Sequence, residues 1–155
     1  MGYQVNFLMN KDFPQLTWLA IISGNRVEIT HGCSVEQKDN WIVEGVWEGE
    51  FKTGNFHKAA NFFGSGVRVE DDTIHLVSST APTDRLLLAN DNGCLYASNS
   101  LITVLAAIGA TLDDDHNYQN EGLPLAKGLD KYDNEFIVKH PRIRTMYQVF
   151  IKIIV

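Results

Sequence analysis

The stretch from Thr83 to Asp113, TDRLLLANDNGCLYASNSLITVLAAIGATLD, constrains the fold more than any other part of the chain. Two apolar runs, Arg85–Asn90 and Cys94–Ala97, stand either side of Asp91-Asn92-Gly93. Asn-Gly is the strongest short hairpin signal, because both residues accept the positive φ that a tight turn between twisted strands demands. Ser98, Asn99 and Ser100 then offer candidate N-caps for LITVLAAIG, whose apolar residues run all round a helix. Gly109 stands where a left-handed C-terminal residue is expected. The reading is a hairpin feeding directly into a buried helix.

The rest of the chain reads mainly as strands. Leu16–Ser23 is a continuous apolar run, and Gly24-Asn25 turns it into Arg26–His31, which alternates as a half-buried partner. Trp41–Trp47 is a third strand, with Gly45 marking a bulge or a close backbone approach. Residues 1–14 carry no decisive pattern beyond Phe13-Pro14, which ends the first segment. From Gly49 to Gly66, glycines and phenylalanines alternate in a partly packed connection, with a helical turn near His57–Phe62. Val67–Glu70 and Thr73–Ser78 flank Asp71-Asp72 as a second hairpin.

Beyond Gly109, the carboxylates of Asp113, Asp114 and Asp115 suit a helix N-terminus, and Gly122 and Pro124 cut that helix short. Leu129–Asn134 reads as a loop, Glu135–Lys139 as a strand and Tyr147–Val155 as one closing strand. About eight or nine strands joined mostly by hairpins, with one or two helices, give an α+β fold of layered antiparallel sheets with flanking helices. Residues 1–155 form a single domain in this reading. The runs at 16–23 and 147–155 are apolar on both faces, so each needs cover on both sides.

With 155 residues, 45% of them hydrophobic, the chain can bury a sizeable core. A formal charge of −6 argues against nucleic acid or an anionic membrane as partner, since either calls for a basic face. Cys33 and Cys94 are too few for a disulfide scaffold and too isolated for a zinc site, and read as reduced thiols. No apolar run reaches membrane-spanning length, and the N-terminus lacks a signal-peptide pattern. Met1-Gly2 is followed by Asn6 where myristoylation calls for Ser or Thr. The expectation is a soluble cytoplasmic protein with neither cofactor nor membrane.

Chemistry-bearing patterns are sparse. Gly64-Ser65-Gly66 leads into a strand and not a helix, so it reads as a turn and not a phosphate loop. His31, His57, His75, His116 and His140 never fall at a metal-ligand spacing, and no metal site is expected. Cys33, two residues after His31, is the one candidate nucleophile, although adjacency in sequence is not hydrogen-bond geometry. Cys94 reads as a small buried hydrophobe. The carboxylates at Glu48, Glu50, Asp71, Asp72 and Asp113 to Asp115 suit turns and caps. Asp84 and Arg85, neighbours entering a strand, face opposite ways and must each find another partner, as structural anchors. The aromatic residues Trp41, Trp47, Phe51, Phe56, Phe62 and Phe63 read as packing.

One block adds a family likeness. Asp84-Arg85, a strand, a short turn, Cys94-Leu95-Tyr96-Ala97-Ser98 and the following helix resemble the glutaminase-type N-terminal domain of the asparagine synthetase family, nearest its asparagine-synthase-related branch. Lys127 to Asp133 is similar to the loop after the helix pair in such domains, and the likeness spans roughly residues 41–150. It implies a class II amidotransferase body of the N-terminal-nucleophile hydrolase type, two antiparallel sheets between helices (αββα), with Asp84, Arg85, Tyr96, Ala97 and Ser98 as its structural motif.

The family's catalytic cysteine, exposed at a processed N-terminus, has no counterpart here, because Met1 is followed by Gly2 and Tyr3. The family's Asn-Gly-Glu segment and the nucleotide-binding synthetase domain are also unmatched. The implied function is a catalytically silent, degenerate glutaminase-like domain acting as a binding or interaction module, free-standing or part of a larger synthetase-related chain. The alternatives are a small hydrolase or amidotransferase using Cys33 with His31, and a structural homodimer whose apolar Ile151–Val155 edge is buried by self-association.

Overall fold

The computed structural model describes residues 2–155; Met1, on which the expectation about N-terminal processing turns, lies outside them. The strands are β1 (Gln4–Met9), β2 (Trp18–Ser23), β3 (Arg26–His31), β4 (Glu36–Lys38), β5 (Trp41–Trp47), β6 (Phe62–Glu70), β7 (Thr73–Ser78), β8 (Leu86–Asp91), β9 (Cys94–Ser98), β10 (Glu135–Ile137), β11 (Thr145–Val149) and β12 (Lys152–Ile154). The α-helices are α1 (Leu101–Ile108) and α2 (Gly122–Ala126). Seven strands form one sheet in the order β1-β3-β2-β9-β8-β11-β10, and five form a second in the order β12-β7-β6-β5-β4. The chain is thus a mixed α/β protein with two sheets and few helices.

Side-chain alternation builds the layers. Leu86 and Leu88 on β8 point into a core shared by both sheets, with Trp18, Ile29, Ile42, Val67 and Leu76. Leu87 and Ala89, on the opposite face of β8, meet Val104 and Ile108 of α1. An unbroken apolar run is therefore the pattern of a strand covered on both sides. The outer face of the second sheet is covered differently. Trp41, Val43 and Val77 pack there with Phe56 and Phe62, and Trp47 joins them. Short 3₁₀ turns at Phe51–Thr53 and Asn55–Lys58 carry the covering aromatics. The expected flanking helices are thus found on one side only; on the other an aromatic cap takes the place of a helix.

The β8–β9–α1 stretch forms as its sequence reads. Asn92 and Gly93 take φ of 50° and 77° between the paired residues Asp91 and Cys94. Of the candidate caps, Ser100 accepts the Thr103 N–H, and Gly109 ends α1 in the left-handed conformation. The helix is buried on one face only: Val104 is fully covered, whereas Ile102 is 79% exposed. All-round apolarity overstated its burial, because a helix on the outside of a sheet touches it along one stripe. Cys94, expected to be buried, is half-buried.

Other expectations are corrected. β1, unassigned from sequence, pairs in parallel with β3, because the chain returns through β2 before β3 docks between them. The sheets are therefore not wholly antiparallel. Gly64-Ser65-Gly66 is not a turn but the middle of β6, where it pairs with β5. The helical turn lies at Asn55–Lys58, ahead of the expected His57–Phe62. Asn117, not the aspartate run, caps the 3₁₀ turn at Tyr118–Asn120. Gly122 and Pro124 open α2 instead of interrupting a helix, since proline is tolerated in a first turn, where its missing N–H has no partner to lose.

The single closing strand is split. β11 pairs with β8 in one sheet and β12 with β7 in the other. Between them Ile151 takes a φ of 72°, held by Ser78, whose N–H donates to the Ile151 carbonyl at 2.7 Å and whose Oγ accepts the Ile151 N–H at 2.9 Å. A β-branched residue is strained there, so the crossing survives because both sheets fix it.

Candidate functional site

The inner faces of the sheets are apolar until one end of the sandwich, where Glu44 of β5 and Ser65 of β6 take positions that Ile42 and Val67 hold further in. Ser65 is almost fully buried. Its Oγ accepts the Trp18 indole N–H at 2.8 Å and donates to Glu44 Oε1 at 2.6 Å. Asn99, in the link between β9 and α1, accepts the Trp18 backbone N–H at 3.1 Å. Its amide nitrogen donates to the Leu16 carbonyl at 2.9 Å and stands 3.5 Å from Glu44 Oε1. Three separate segments are thereby tied to one carboxylate on a fourth. Burial pushes the Glu44 carboxyl above its usual range; the Ser65 and Asn99 hydrogen bonds oppose that, and the nearby Asp84 charge adds to it.

Behind these side chains, Gly45 and Gly64 face each other across β5 and β6 with φ of 150° and 124°. A Cβ on Gly64 would lie 2.0 Å from the Glu44 carbonyl oxygen, so the close approach of the two backbones admits no side chain. In front lies an open cleft of about 310 Å³, where Thr17, Glu44, Ser65 and Asn99 face Asp84 and Arg85. Asp84 is held by the hydroxyl of Ser79, which itself accepts the Gly64 N–H at 2.9 Å. Asp84 and Arg85 precede β8 and are exposed, not entering it as expected.

The structure brings some sequence-derived candidates to this cleft and leaves others apart. Asp84 and Arg85 form its rim. Ser98 supports it from behind, donating to the Trp18 carbonyl at 2.5 Å and accepting the Ser100 N–H at 2.9 Å. Ala97 lies in the core between the sheets, while Tyr96 faces the α1 side. His31 and Cys33 are not joined by a hydrogen bond: His31 is buried, with Nδ1 2.9 Å from the Gly32 carbonyl and Nε2 2.9 Å from Gln37 Oε1, while Cys33 is exposed. A thiolate needs its base within reach, and this base is committed elsewhere. Glu44, Ser65 and Asn99 were missed from sequence, although a signal existed: in WIVEGVW, Glu44 falls in register with the inward-facing Ile42.

A second polar cluster lies on the outer face of the five-stranded sheet. His57, on the 3₁₀ turn, and His75, on β7, flank Glu70 at the end of β6, with one ligand atom of each lying within 4.8 Å of the others. Burial lowers His57 to about 4, helped by the neighbouring His75, and lowers His75 as well, so both rings are neutral at pH 7. Spacing in sequence hid this group, because its members meet only through a hairpin and the covering turn.

Compared with protein-family models, with curated proteins and with solved structures, the chain matches none.

Proposed function

We propose that the chain is a catalytically silent, glutaminase-like domain of the asparagine-synthase-related type, a variant of the αββα plan in which an aromatic cap replaces one helical layer, and that it binds a small zwitterion at the cleft between its sheets. The observation that carries this reading is Glu44: a half-buried carboxylate, fixed by Ser65 and Asn99 and close enough to Asp84 to feel its charge, in a cleft that Arg85 also lines. An amino acid or its amide offers an ammonium group for the acidic side and a carboxylate for the arginine. The cleft volume, about 310 Å³, suits such a ligand and lies at the small end of the range for ligand pockets. The hairpin-to-helix block named above frames the same cleft, which supports the family reading.

Binding is favoured over hydrolysis because both serine hydroxyls are covered and held in hydrogen bonds. Ser65 Oγ is covered and already accepts the indole hydrogen, and Ser79 Oγ is shared between Asp84 and the Gly64 N–H. Each keeps one lone pair by count, but with Ser65 1% and Ser79 0% exposed neither Oγ is open to a carbonyl carbon. Titration calorimetry with glutamine, asparagine and other free amino acids tests the reading. Wild type is expected to bind at least one of them, and Glu44→Gln and Arg85→Ala each to weaken that binding about tenfold, or ~1.4 kcal/mol. Absence of any amino-acid binding removes the ligand class, and ammonia release from glutamine by the purified chain removes the silent assignment.

A further inference from the structure

We propose that His57, Glu70 and His75 form a binding site for a divalent transition-metal ion of the zinc type, independent of the cleft. Two imidazoles and one carboxylate, with a remaining position open to solvent, are a donor set that zinc accepts. The spacing fits. Ligand atoms 2.0–2.1 Å from a common ion in tetrahedral array stand about 3.3–3.4 Å apart. His57 Nε2 lies 3.3 Å from Glu70 Oε1, and His75 Nε2 lies 3.5 Å from Glu70 Oε2.

The second observation is the state of the rings. The His57 side chain is wholly covered, yet neither of its nitrogens has a hydrogen-bond partner among the described residues, and His75 Nδ1 has none either. Buried ring nitrogens in a purely structural cluster are normally satisfied. Here the His57–Glu70 approach has the separation of two ligands on one ion without the geometry of a hydrogen bond. Glu70 is the member that reaches solvent, its side chain 36% exposed, so an ion can approach through its carboxylate.

The surroundings set how tightly an ion is held. Arg68 donates from Nε to Glu70 Oε1 at 3.0 Å while its other end binds the carbonyls of Thr53 and Gly54, so it orients the carboxylate but competes for its charge. Lys58, 3.8 Å from Glu70 and mostly exposed, is free to turn away. Lys152 adds positive potential at His75. The Nδ1 atoms also lack the acceptors that orient ligating rings in tight sites. These features predict a reversible ion that chelators remove.

The test uses the full chain, stripped with a chelator and dialysed against Zn²⁺ or Co²⁺. Wild type is expected to retain one ion per chain by elemental analysis, and the Co²⁺ form to show the intense visible bands of low coordination number. Paramagnetic shifts should fall on the His57 and His75 imidazole resonances. His57→Gln and His75→Gln are each expected to cut retention at least tenfold, while Cys33→Ser and Glu44→Gln leave it unchanged. If either histidine variant misfolds, the cobalt shifts on wild type decide alone. Wild type retaining no ion, or shifting other histidines, overturns the proposal, as does undiminished retention in a folded His57→Gln chain.

Discussion

Ser65 and Glu70 lie on the same strand, yet the polar groups gathered around them are in opposite condition. Around Ser65, the Trp18 indole, the Glu44 carboxylate and the Asn99 amide have interlocking partners. Around Glu70, His57 is buried with both nitrogens unpartnered among the described residues. The first arrangement uses hydrogen bonds to fix a carboxylate in one place. The second carries an unmet desolvation cost of about 1–3 kcal/mol per buried group. A satisfied network positions its side chains and resists change; an unsatisfied one is held against its own preference and gains most from an added partner.

The largest expected effect breaks the rigid end outright. Gly64→Ala drives a Cβ into the Glu44 carbonyl at a φ that side-chain-bearing residues avoid. It should cost at least about 3 kcal/mol in denaturant unfolding; a cost below about 1 kcal/mol would mean the close approach relaxes freely. Ser65→Ala is next, at about 2–4 kcal/mol, because it strands a buried indole N–H and takes a donor from a carboxylate. His57→Leu, measured in chelator, sharpens the contrast: removal of two unpartnered nitrogens should leave stability within about 1 kcal/mol of wild type or raise it. If His57→Leu destabilises as much as Ser65→Ala, the two ends are not in different states.

The smallest effect is a difference in acid response. His57 falls from 6.5 to about 4 on folding, so between those values the unfolded chain takes up a proton that the folded ring refuses. Stability therefore drops as pH falls through that window in metal-free protein. Glu44 is raised above 4.5 on folding, so the folded state takes up its proton first, and acidification just above 4.5 adds stability. Unfolding measured across pH should show a flatter acid limb for His57→Leu and a steeper one for Glu44→Gln. The same sign of change in both variants would contradict this assignment.

Local signals carried far where the local chain closes its own hydrogen bonds. The Asn92-Gly93 turn, the Ser100 cap and the Gly109 terminus were legible because each depends on neighbours a few residues away. Glu44 was half legible, as an acid in register with inward-facing residues. The closing strand was misread because nothing within Tyr147–Val155 says that it changes sheets; Ser78, distant in sequence, makes Ile151 turn. His57, Glu70 and His75 carried no spacing signal, since their meeting depends on how a covering turn lands on a hairpin.

The sequence by itself determined most of the longer strands, the main hairpins, the helix that follows them and the two-faced burial of the central strands, because turn chemistry and side-chain periodicity are local properties. Only the tertiary structure decided which polar residues share a space. The pairing of β5 with β6 set Glu44 beside Ser65, and the packing of the 49–61 connection set His57 against Glu70. Contacts across sheets and covering segments depend on register and docking, and those are fixed by the whole core at once.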